Sequence, residues 1–128
     1  YYMRRALLTL TIAIGTTIYT KAQTSLQQSI RFVKDSVEIK ESQIATLQMM
    51  AEYINQHPDE IIIIGGFTSK ETPATRIGEV CEKRAEAVKK RLVEDYNIDP
   101  ERLVSIGAGV STRYEEATFN EVVTFFKK

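Results

Sequence analysis

"IIIIGGFTSKETPATRIGEVCEKRAEAVKKRL", residues 61–92, decides the fold. Four consecutive isoleucines suit a strand covered on both faces, and such a strand is central in its sheet. Gly65 and Gly66 let the chain leave the sheet closely packed or sharply turned. Pro73, with its Thr and Ser neighbours, marks "TSKETPAT" as a loop. A helix is expected from about Arg76 to Tyr96. Ile77, Val80, Cys81, Ala85, Val88 and Leu92 share one face of it, while Glu79, Glu82, Lys83, Glu86 and Lys90 lie largely away. Asn97 can take the left-handed conformation that stops the helix.

Arg84 is the odd residue in that pattern. At about 100° per residue it lies within roughly 50° of the centre of the apolar face. One reading makes it the floor of a pocket, aimed at a carboxylate arriving near Gly66 to Ser69, with the helix amino terminus adding partial positive charge. The other makes it a boundary residue that snorkels and pairs with a glutamate.

Working outward, the upstream segment "SLQQSIRF" alternates, with Leu26, Gln28, Ile30 and Phe32 on one side, and reads as a strand. Ser42 is placed to cap a helix over "QIATLQMMAEYINQH". Ile44, Leu47, Met50, Ala51 and Ile54 recur at three and four and form a buried stripe. Pro58 ends that helix. Downstream, "IDPERLVSIGAGV" gives a turn and a third strand, and "NEVVTFF" a fourth. The order is β-α-β-α-β-β. An α+β fold, one mixed sheet carrying both helices on a single face, is the economical way to bury these stripes.

The 128 residues are 43% hydrophobic and 27% charged, which suits one globular domain. Lys plus Arg and Asp plus Glu are each 17. That balance argues against a nucleic-acid binder, which needs cations in excess. One Cys (Cys81) and one His (His57) allow no internal disulfide and leave little for zinc. Cys81 reads as a buried small hydrophobe, and His57 as a helix-end residue. No catalytic triad, phosphate loop or metal cluster is spelled out, so neither an enzyme nor a bound cofactor is expected.

At the amino end, Arg4 and Arg5 precede an apolar stretch of roughly 13 residues, long enough for a signal-peptide core and too short to span a bilayer. Residues 3–22 read as a secretory signal. The alternation from Leu8 to Ile14 also permits an extra strand.

"IIIIGGFTS", its loop and "GEVCEKRAEAVKKRL" resemble the OmpA-like peptidoglycan-binding domain, which reads G-[YHF]-T-D, a loop, then N-x-x-L-S-x-x-R-A-x-x-V-x-x-x-L. "NIDPERLVSIGAGVS" is similar to the family's following segment, and the resemblance covers roughly residues 26 to 126 of a domain placed at 23–128. It implies a periplasmic domain associated with the outer membrane and its proteins, holding the cell-wall stem peptide without cutting it. The family's Asp and Arg grip the diaminopimelate end, the Arg as a planar fork for the carboxylate. By position that Arg is Arg84, and Gly66, Phe67, Thr68, Ser69 and Ile77 are the implied companions. Three departures from the pattern stand out, the last of them at two positions. Ser69 stands where the family has Asp, and Ile77 where it has Asn. Asn120-Glu121-Val122-Val123 replaces N-R-R-V. "TSKET" resembles a variant loop, A-S-P-E-G, found in some members.

Overall fold

The structure, a computed structural model, describes residues 24–128. The signal-or-strand reading of residues 3–22 lies outside them. Strand β1 (Thr24–Arg31) is followed by helix α1 (Ile44–Gln56), strand β2 (Ile62–Thr68), helix α2 (Ile77–Tyr96), and strands β3 (Leu103–Val110) and β4 (Val122–Lys127). The α+β order β-α-β-α-β-β is the expected one.

The sheet runs β1-β4-β2-β3. β2 pairs with β3 in parallel and with β4 antiparallel, so the isoleucine strand is internal to a mixed sheet. Its composition required this position, because Ile62 and Ile64 are fully buried on one face and Ile63 nearly so on the other. Ile30, Ile62, Ile64, Val123 and Phe125 form one side of a single core. Leu47, Met50, Ala51 and Ile54 of α1 and Ala85, Val88 and Leu92 of α2 form the other. The two apolar stripes read from the sequence therefore meet one sheet face.

Two glycines set how close α2 can come. A Cβ on Gly66 would lie 2.0 Å from the Cys81 carbonyl oxygen, and one on Gly107 would lie 3.1 Å from the Glu82 nitrogen. A methyl at Gly66 would push the helix off the sheet, and one at Gly107 would crowd its backbone. Asn97 adopts φ 57° and ψ 36° at the end of α2, the left-handed stop its side chain favours.

The start of α1 differs from expectation. Ser42 does not cap it, because the chain enters through a 3-10 turn at Glu41–Gln43. The Gln43 amide donates to the Lys40 carbonyl, and that of Ile44 to Glu41, so tight backbone bonds satisfy donors a hydroxyl would otherwise serve. The other end of α1 is closed from a distance. Arg102 Nη2 donates to the carbonyls of Ile54 and His57 at 2.9 and 2.6 Å, and its Nε to that of Glu60 at 3.3 Å. His57 is the helix-end residue expected, its Nδ1 2.8 Å from the Tyr53 carbonyl oxygen and its ring stacked on Tyr53.

Candidate functional site

Arg84 projects from α2 into the corner where β2 runs out into its loop. It is 0% exposed. Nε donates to the Ser36 carbonyl at 2.8 Å, Nη1 to the Phe67 carbonyl at 2.9 Å, and Nη2 to the Val33 carbonyl at 3.1 Å. Nη1 also meets Glu121 Oε1 at 2.7 Å. The guanidinium carbon stands 5.2 Å from the centre of the Phe32 ring. A charge this deep needs both a counter-ion and hydrogen-bond acceptors, and it has Glu121 and acceptors for four of its five N–H groups.

Glu121 is its equal in burial, 1% exposed. Thr68 Oγ1 donates to Oε1 at 2.9 Å, and Ser69 Oγ to Oε2 at 2.7 Å. Thr72 Oγ1 lies 2.6 Å from Thr68 Oγ1. Thr68 has one hydroxyl hydrogen and gives it to Glu121, so Thr72 is the donor in that second bond. Burial alone pushes the Glu121 carboxyl upward. Hydrogen bonds from Ser69, Arg84 and Thr68, together with the Arg84 charge, outweigh burial and hold it below the usual glutamate range.

The residues singled out from sequence thus divide. Arg84, Thr68 and Ser69 converge, but on Glu121 and with no open cleft between them. Of the two readings of Arg84, pairing with a glutamate is the one realised, by full burial and without snorkelling. Gly66 serves helix packing. Phe67 contributes its carbonyl oxygen to Arg84, while its ring lies over Gly65 on the helix-free face of the sheet, beside Phe126. Strand alternation carried that signal, since Thr68 and Phe67 must face opposite ways. Ile77 opens α2 half-buried and brings no polar atom to the set. Glu121 was not singled out as the partner. Its sequence signal is the departure at Asn120-Glu121-Val122-Val123, where an acid stands in place of the first arginine of N-R-R-V. Cys81 is buried as expected; burial pushes its thiol up, and Sγ sits 3.4 Å from the Gly109 carbonyl oxygen.

Directly outside this corner a cleft of about 340 Å³ opens, lined by Lys70, Ser111, Thr112, Tyr114, Glu115 and Asn120, with Ala117 at its edge. Asn120 is buried and ties the β3–β4 connection down. Its Oδ1 accepts from Ser111 Oγ at 2.9 Å and from the Tyr114 amide at 3.2 Å, and its Nδ2 donates to the Tyr114 carbonyl at 2.9 Å. Lys70 and Glu115 both line this cleft, and neither makes an ion pair among the described residues.

The open sheet, ordered β1-β4-β2-β3, thus receives an arginine from its second helix at the exit of its second strand. The model of the OmpA family matches residues 31–123, and the chain belongs to that family. Outer membrane porin F of Pseudomonas aeruginosa is 27% identical over 86 residues, which are 67% of this chain and 25% of the porin. The chain thus spans about a quarter of the length of that curated relative. Among solved structures, the peptidoglycan-associated lipoprotein from Burkholderia pseudomallei superposes with a TM-score of 0.69 at 24% identity, covering 80% of this chain and 91% of that one. The C-terminal domain of Helicobacter pylori MotB gives 0.68 at 22% identity, covering 78% and 83%. These two likenesses establish the shared fold.

Proposed function

We propose that this domain holds peptidoglycan non-covalently in the cell envelope, on the periplasmic side and associated with the outer membrane, and performs no catalysis. Family membership over residues 31–123 supports the class of function. The observation that supports the site is the cleft lined by Asn120, with one basic and one acidic residue, Lys70 and Glu115, on its walls. Diaminopimelate presents the complementary pair, so its carboxylate meets Lys70 and its ammonium meets Glu115. Arg84 acts beneath as the fixed floor. Its direct use as the diaminopimelate anchor, with Thr68 and Ser69 beside it, requires Glu121 to swing out and a guest carboxylate to take over Oε1's place. That exchange is opposed by the hydrogen bonds that hold Glu121.

A sacculus pull-down tests this. The wild-type domain is expected to be retained, and the Lys70→Ala/Glu115→Ala variant to lose most of that retention while melting like wild type, since both side chains are exposed. Retention unchanged in the double variant overturns the cleft as the site. The closed Arg84–Glu121 pair favours a second reading, a structural or protein-contacting module that has given up the wall. A wild-type domain that melts cooperatively and is not retained at all establishes that reading.

A further inference from the structure

The helix-free face of the sheet carries a second cleft, of about 400 Å³. Its position follows from the register. Gly65, Thr124 and Ser29 lie side by side across β2, β4 and β1. All three are small, so this row is low. A Cβ on Gly65 would be 3.2 Å from Phe126 Cε2 and 3.6 Å from Phe67 Cε2, so the two rings close over the glycine and wall one end. Thr124 and Ser29 are left as the floor. Ser111 and Arg113 line the rim, with the Arg113 guanidinium 5.5 Å from the centre of the Tyr114 ring.

The chemistry of this lining is narrow. It combines aromatic rings with hydroxyls, holds one cation, and includes no acid. Thr124 Oγ1 is buried with no hydrogen-bond partner, although such groups are ordinarily satisfied. Thr124 itself lines the cleft, and a change of χ1 well carries its hydroxyl to another staggered position, where a guest can supply the missing partner. The Ser29 and Thr112 hydroxyls also line the cleft. A lipid chain leaves these groups unpaired, and an acidic peptide finds a single counter-charge. A pyranose ring has both features required: a C–H face that packs on Phe67 and Phe126, and a rim of hydroxyls.

We infer that this cleft is a saccharide site that takes an uncharged or N-acetylated pyranose of a glycan. The saccharide assignment stands on the cleft itself; its being the glycan of the wall rests on the function proposed above. The two clefts share Ser111, Thr112 and Tyr114, so one ligand with a sugar backbone and a peptide branch can lie across both.

Titration of the isotope-labelled domain with the N-acetylglucosamine tetramer, which has no peptide, tests this. The expected result is saturable shifts at the amides of Ser29, Phe67, Thr124 and Phe126. Thr124→Val keeps the shape and removes the hydroxyl, and is expected to weaken binding about tenfold, the worth of one hydrogen bond. Phe126→Leu is expected to weaken it as well. Absence of saturable shifts up to about 10 mM, the millimolar limit of useful affinity, overturns the inference, as does binding indifferent to Thr124→Val and Phe126→Leu. A parallel titration with a diaminopimelate-containing stem peptide keeps the two readings apart. If only the tetramer binds, the saccharide site stands and the peptide site fails; if only the peptide binds, the reverse holds.

Discussion

Glu121 receives hydrogen bonds from Arg84, Thr68 and Ser69, and this concentration of partners makes its loss costly. Glu121→Ala leaves Arg84 charged and buried without its counter-ion. It is expected to destabilise the domain by about 3–5 kcal/mol, read as a lowered urea midpoint. Protonation does part of the same work. Because the folded carboxyl is held below its unfolded value of about 4.3, its contribution is fully present above that pH and is lost as pH falls through the folded value. Stability measured from pH 7 downward should drop in that acid range, and Glu121→Gln should flatten the drop. The sequence made Arg84 conspicuous because a cation in an apolar stripe is a local anomaly. Its partner lies 37 positions away, just ahead of β4, and a glutamate beside Asn120 has no local peculiarity to mark it.

At the scale of elements, what the sequence disclosed was what repeats within a few residues. The stripe of α1, the face of α2, the isoleucine strand and the Asn97 stop all follow from neighbours three or four apart, or from one residue's backbone preference. The closing of α1 by Arg102 is different. Arg102 lies 45 positions beyond His57, and nothing in "DPERL" announces that it reaches back to a helix end. Three carbonyls depend on it, two of them at the negative end of the helix dipole. Arg102→Ala is expected to cost about 2 kcal/mol, as for hydrogen bonds made by a charged donor. Hydrogen exchange should report it as faster opening of the last turn of α1, with α2 less affected. The Ser42 cap failed for a related reason: a 3-10 entry is a choice among backbone geometries that a single polar side chain does not dictate.

At the scale of the whole molecule, one core joins all four strands and both helices, so the described domain should unfold in a single transition. Cys81 offers a direct probe of it. The thiol is buried and its pKa raised, so a thiol reagent is expected to label it only through unfolding, at a rate that tracks the global equilibrium. The sheet order has a temporal side. β4 is made after every other strand, yet it belongs between β1 and β2. A nascent chain that has reached β3 can pair β2 with β3, but β1 then has no neighbour and Arg84 no counter-charge. The gap between β1 and β2 is a slot with two unpaired backbone edges, filled only when synthesis delivers the final strand with its glutamate at the entry. Until then the chain is an acceptor for any passing β-segment, and this is the stage at which it is most open to mispairing.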